Sequence, residues 1–208
     1  TVGMSCNTLI VTPGTIADPV IGQPYGPVTF NATGAVGPVT WAAYGGLPPG
    51  MSFNSATGSF GGTPTAGGLY SLLVVATDSN GCSGSVNFVY STVCPTVTVN
   101  PASLPDPVIG VPYSQTLSGA GGAAPYTFVV TAFGPPPGLT LTGDTISGTA
   151  TAPWGTTFAI TAIDAYGCTG TRYFTLIPQC PAISVNPANL PDGVVGTAYN
   201  QTVSASGG

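Results

Sequence analysis

The chain contains no lysine, no glutamate and no histidine, and its one basic residue is Arg172. Of its 208 residues only 3% are charged, against about 25% in an ordinary globular domain. Each absence removes a class of function. Displacing counterions from nucleic-acid phosphates takes clustered Lys and Arg, so no nucleic-acid partner is expected. A polybasic membrane patch fails for the same reason. Apolar runs stop at about five residues, far short of a membrane span, so no membrane insertion is expected. Triads, Schiff bases and Glu-type acid–base pairs lack their parts. Two aspartates can in principle serve a glycosidase. Yet every Asp except Asp144 recurs at a matched position along the chain, as structural residues do, so the chain reads as a non-enzyme that needs no cofactor.

What is present is neutral and polar. Ser and Thr together number 46, so hydroxyls, or groups attached to them, wet the surface in place of charge. Weak charge also removes the repulsion that keeps proteins apart, and self-association into a polymer or longer array is the expected behaviour. With 31 Gly and 22 Pro the chain nears a disordered composition. Against disorder stand 43% hydrophobic residues and a regular alternation.

The chain is repetitive. "TIADPVIGQPYGPV" (15–28) returns as "SLPDPVIGVPYSQT" (103–116) and as "NLPDGVVGTAYNQT" (189–202). Cys6, Cys94 and Cys180 each open a unit, and Asp18, Asp106 and Asp192 each follow 12 positions later. Tyr25 matches Tyr113 and Tyr199. "LPPGMSF" (47–53) matches "PPPGLTL" (135–141), "SFGGTPT" (59–65) matches "TISGTAT" (145–151), and "ATDSNGC" (76–82) matches "AIDAYGC" (162–168). The expected layout is the end of a preceding repeat over 1–5, repeats over 6–93 and 94–179, and the first strands of a third over 180–208. On this reading the chain is a window on a longer array. Either the native chain continues, or a neighbouring subunit supplies the strands that the third repeat lacks; the first is favoured.

Each repeat reads as all-β. In the second, "TVTVN" (96–100), "SQTLS" (114–118), "YTFVVT" (126–131), "LTL" (139–141), "TIS" (145–147), "TFAITAI" (157–163) and "TRYFTLI" (171–177) are separated by Gly/Pro turns. Period-2 alternation places Phe158, Ile160 and Ala162 on one face, as it does Leu72, Val74 and Ala76 in the first copy. About seven short strands at this spacing predict a β-sandwich, with Trp41 and Phe128 expected as its large central residues.

The LPD-x-x-x-G-x-x-Y, LPPGL-T-L, ISGTP-T and TD-x-NGC-x-G segments resemble the putative-Ig repeats of bacterial and archaeal surface proteins, in the cadherin-like and Ig-like group. The resemblance covers both complete repeats and the partial third. Its local departures are "IAD" for "LPD" at 16–18 and the missing Pro after Thr149. It implies tandem extracellular Ig-like/cadherin-like sandwiches and no catalytic activity.

Five cysteines allow many pairings. Cys82 and Cys94 sit at the two ends of one strand, roughly 36–40 Å apart when extended, whereas a disulfide needs Cα atoms within about 7 Å. In Ig-like sandwiches the first strand can run parallel to the last, which puts Cys6 beside Cys82 and Cys94 beside Cys168. Each bridge would close a loop worth up to ~4 kcal/mol. Cys180 is left over, its mate expected beyond the C-terminus or in a neighbour. The alternatives are reduced thiols in a cytosolic protein, or metal binding, for which there is neither His nor a C-x-x-C pair. The compartment that fits is oxidising, outside the cell or at its surface.

The other candidate sites are modest. "DSNG" (78–81), with Asp18 nearby, is a thin calcium candidate, since Ca²⁺ takes six to eight oxygens and Asp and Asn also favour turns; no metal site is expected. The proline stretches are spacers or polyproline ligands. Trp154, facing Gly68 in the alignment of repeats, is a candidate contact for sugar or for a neighbouring subunit. Asn31 and Asn200 open glycosylation sequons. Pro95 and Pro181 stiffen short junctions. The expected function is therefore structural, a filament, stalk or surface coat. The alternative is an adhesin that recognises glycan or protein through end loops.

Overall fold

A computed structural model describes residues 6–207, and among them there is no helix. Residues 1–5, read above as the end of a preceding repeat, lie outside the described residues. The first repeat contains β1 (Ile10–Thr12), β2 (Tyr25–Thr29), β3 (Asn31–Thr33), β4 (Thr40–Gly45), β5 (Met51–Asn54), β6 (Ser59–Gly62), β7 (Gly68–Thr77) and β8 (Ser83–Thr92). β2 and β3 flank Phe30 and act as one bent strand. One layer runs β1–β3 and β2–β6–β5, the other β4–β7–β8. This is the four-plus-three arrangement of an Ig constant-type sandwich. The opening segment crosses to the second layer, where Val20 bridges Val93 in parallel.

The second repeat follows the same plan with β9 (Thr98–Asn100), β10 (Pro112–Thr116), β11 (Ser118–Ala120), β12 (Thr127–Ala132), β13 (Leu139–Thr142), β14 (Thr145–Thr149), β15 (Thr156–Ile163) and β16 (Thr169–Leu176). Its sheets are β9–β11, β10–β14–β13 and β12–β15–β16, with Val108 bridging Gln179 in parallel. The pairing of β2 differs from that of β10 by one residue. In the first repeat the register slips between Tyr25 and Val28, a bulge at Gly26–Pro27, whereas β10 pairs with β14 without a break.

The alternation expected of the long strands holds: Leu72, Val74 and Ala76, and Phe158, Ile160 and Ala162, are buried. Trp41 is not the centre of its core. It packs from the edge, 6.4 Å from the Phe30 ring and directly over Gly58, where a Cβ would clash with the indole. Phe128 is likewise only partly buried. The fully enclosed rings are Phe30 and Phe60 in the first repeat and Phe158 in the second. Phe60 and Phe158 lie on the central strands β6 and β15 and Phe30 between β2 and β3, while β4 and β12 are edge strands.

Residues 180–207 form a hairpin, β17 (Ser184–Asn186) with β18 (Ser204–Ser206). Ile183, Val185, Leu190, Tyr199 and Val203 are all at least 49% exposed there. Their counterparts Val97, Val99, Leu104, Tyr113 and Leu117 are at most 9% exposed. The same pattern is buried where five more strands cover it and open where none do.

Candidate functional site

The recurring residues of the sequence turn out to be hydrogen-bonding pins. The opening motif makes two of them. Asp18 accepts the N–H of Ser91 at 3.0 Å and its hydroxyl at 3.3 Å, and Asp106 accepts the N–H of Ile177 at 2.7 Å. Next to each, the parallel bridge closes: Ile21 N–H to Val93 O at 2.9 Å and Val93 N–H to Pro19 O at 3.0 Å, with the same pair at Ile109, Gln179 and Pro107. The tyrosine seven positions on turns its hydroxyl back to the motif. Tyr25 donates to Ala17 O, Tyr113 to Pro105 O and Tyr199 to Pro191 O, at 2.9, 2.9 and 2.7 Å. Burial, with Asp106 nearby, pushes the Tyr113 hydroxyl up to about 12; burial and then Asp18 raise that of Tyr25.

At the other end of the last strand sits the second aspartate. Asp78 accepts the N–H groups of Val36, Asn80 and Cys82 at 3.1, 2.9 and 2.9 Å. Asp164 accepts those of Ala123, Tyr166 and Cys168 at 3.0, 2.9 and 2.8 Å. The Val36 N–H is the strongest influence holding the Asp78 carboxyl below the usual range, against the opposing effect of burial. Burial is the largest single effect at Asp164, but the donated N–H groups together outweigh it and lower its pKa too. These carboxylates order the hairpin that carries Cys82 and Cys168. β8 separates Asp18 from Asp78, so the two do not meet, and among the described residues no three His, Cys, Asp or Glu side chains gather as metal ligands.

Cys6 is joined to Cys82 and Cys94 to Cys168, with Cα atoms 5.4 and 5.5 Å apart. Cys180 is free and exposed. Cys82 and Cys168 are buried, while Cys6 and Cys94 are exposed.

The proline stretches are occupied by their own repeat. Pro48, Pro49 and Gly50 carbonyls accept Met51, Thr65 and Thr63 N–H groups, and Pro136, Pro137 and Gly138 do the same for Leu139, Thr151 and Thr149. Gly50 and Gly138 have φ of +85° and +89°, and a Cβ at either would strike a threonine carbonyl, so only glycine fits. Where Pro64 stands in the first repeat the second has Ala150, equally buried. The lone cation is also engaged: Arg172 Nε donates to Val99 O at 2.6 Å and an Nη to Ala102 O at 3.3 Å.

The remaining candidates do not converge. Asn31 is exposed on β3 and Asn200 is exposed in the third segment. Trp154 is 62% exposed in the connection from β14 to β15. Two features escaped the sequence reading. One is a row of hydroxyls across the second layer, Thr131–Thr161–Thr171 at 3.0 and 2.7 Å with Thr157–Thr175 at 2.9 Å. The other is a shallow groove of about 450 Å³ beside the Gly26–Pro27 bulge, lined also by Ser52, Asn54 and Ser59. The threonines that alternate along β15 and β16 were a signal for the first. A single inserted residue gave none for the second.

Comparison with known proteins places this architecture. The chain is 34% identical over 163 residues to the "Serine-rich adhesin for platelets" of Staphylococcus aureus strain N315, a match that takes in 74% of this chain and 7% of that protein. The adhesin of strain MRSA252 matches equally, over 12% of its length. Among solved structures, Drosophila N-cadherin EC1-4 aligns over 83% of this chain and 49% of its own at 12% identity and a TM-score of 0.34. The protocadherin gammaB7 EC3-6 cis-dimer aligns over 97% of this chain and 60% of its own at 11% identity and a TM-score of 0.35. The "Putative Ig domain" family matches residues 8–93 and again 95–178, and the chain belongs to that family as a tandem of two all-β sandwiches.

Proposed function

We propose that this chain is a section of an extracellular or cell-surface array with a structural role, divided at 6–93, 94–179 and 180–208, with 1–5 closing a preceding repeat. The observation that carries this reading is the employment of its reactive groups. Asp18, Asp78, Asp106 and Asp164 accept backbone N–H groups of their own repeat, Arg172 caps carbonyls, and four of five cysteines are bridged. Little is left over for chemistry on a substrate, and much is given to holding a neutral repeat together. Disulfides belong to oxidising surroundings, and the similarity to a surface adhesin supports the same location. Self-association into a filament, stalk or coat follows from the low charge.

The second reading, an adhesive module that binds glycan or protein, is favoured by one observation, the exposed Trp154, and by the adhesin relative. Glycans attached at Asn31 and Asn200 are compatible with either. Negative-stain microscopy separates the two: fibres of uniform repeat are expected, whereas dispersed single particles that capture glycans or a protein ligand through Trp154 would replace the first reading by the second. Peptide mapping without reduction should return the Cys6–Cys82 and Cys94–Cys168 pairs; a Cys82–Cys94 peptide would overturn the layout.

A further inference from the structure

We propose that the disulfides and the last strands together form a covalent load path, which makes this chain a tether that tension cannot lengthen by unfolding its sandwiches. The path is read from connectivity. Tension entering at Cys6 crosses the sulfur bridge to Cys82, whose Cα is 5.4 Å away. It then runs along β8, residues Ser83–Thr92, to Cys94. Cys94 is itself bridged to Cys168, 5.5 Å away, and β16 with its short continuation carries the load on to Cys180. Cys94 is thus both the exit of one last strand and the entrance to the next bridge.

The rest of each sandwich hangs beside this path as a closed loop. The bypassed loops have sequence separations of 76 and 74 residues. In an uncrosslinked sandwich those residues lie in series with the force, and unfolding lets out about 3.3–3.6 Å for each of them, roughly 250 Å per repeat. Here they let out nothing. The segments that do bear load are already extended strands at about 3.3 Å per residue, so the path also has little slack. The aspartate pins act on the same elements: Asp78 and Asp164 order the hairpins that hold Cys82 and Cys168 in reach. Strand β8 is paired with β7 along its whole length, from Ser83 opposite Thr77 to Thr92 opposite Gly68.

The load path supplies a reason for one cysteine to stand at each repeat junction, and it rests on the array reading only for its oxidising surroundings. The test is single-molecule stretching of the full chain, with one handle on the N-terminus and the other on the free thiol of Cys180 through a stable thioether. The oxidised chain should stretch with no unfolding step. Adding dithiothreitol, which reduces each bridge to two thiols as it closes into its own cyclic disulfide, should release two steps of about 250 Å each. A Cys94→Ser/Cys168→Ser chain should give one such step while still oxidised. If that variant does not fold, its contour length should still exceed that of the parent by about 250 Å. Steps of that size in the oxidised parent, or no added length in the variant or on reduction, overturn the proposal. Absence of fibres in the microscope alongside a stepless trace would remove the array reading and leave the load path standing.

Discussion

The two complete repeats share their pins and differ in their filling. In the first, aromatic rings meet through the core: Phe30 with Phe88 at 5.7 Å, Phe60 with Tyr90 at 5.8 Å and with Tyr25 at 5.7 Å. In the second the matching positions are Leu117, Phe174, Ile146, Leu176 and Tyr113, and bulk returns elsewhere as Phe158, 5.9 Å from Phe174, where the first repeat has Leu72. Side-chain volume has moved from one layer to the other. Meanwhile the aspartates, the tyrosine hydroxyl, the Pro-Pro-Gly turn and the bridges stay in place. The pins specify which strand lies where; the core needs only apolar groups of about the right total size. The aromatic version leaves the Tyr90 hydroxyl buried without a partner, a cost that Leu176 does not carry.

Core truncation should separate the repeats most. Phe60→Ala is expected to cost about 3–5 kcal/mol and Ile146→Ala about 2–5 kcal/mol. The first should be the larger, because it also forfeits two ring pairs worth about 0.5–1.5 kcal/mol each. Calorimetry of the two variants measures this, and equal losses would show that the rings add nothing beyond volume. Opening the bridges comes next. Cys6→Ser/Cys82→Ser and Cys94→Ser/Cys168→Ser should each cost up to ~4 kcal/mol, and nearly the same amount, since the loops are of matched length. A gap above about 1 kcal/mol in guanidinium titrations would place the difference in the cores.

Smaller again is the tyrosine pin. Tyr113→Phe should lose about 0.5–1.5 kcal/mol with its bond to Pro105. The exposed Tyr199→Phe should change the unfolding midpoint hardly at all, and a matching loss there would mean that the third segment is folded against something. Acid should distinguish the repeats least. Asp78 and Asp164 both have carboxyls held below their ordinary value of 3.8, so their contribution is complete above that value and disappears as pH falls through the lower native one. Thermal midpoints are therefore expected to be level above about pH 5 and to drop together below it. Separate acid transitions for the two repeats would contradict equivalent pins.

The long strands were legible because alternation over eight or ten residues is a strong signal, as at Phe158, Ile160 and Ala162. The true core centres were harder to see. Phe30 stands between two strands too short to alternate, and Phe60 belongs to a four-residue strand. Size drew attention to Trp41, but its edge strand leaves one side of the indole open. Asp18 and Asp78 were visible as recurring residues, not as acceptors for particular N–H groups: Ser91 lies 73 residues from Asp18 and Val36 lies 42 from Asp78. Recurrence in a single chain marks a residue as structural without saying what it touches.

The anchored guanidinium of Arg172 has a consequence for resistance to proteolysis. A protease that cuts after basic side chains finds one such residue in the entire sequence, and it lies inside β16, its head group tied to two main-chain oxygens. One that cuts after glutamate finds none. Digestive attack of the commonest trypsin-like kind therefore has a single address on this surface, and reaching it requires peeling a strand out of its sheet.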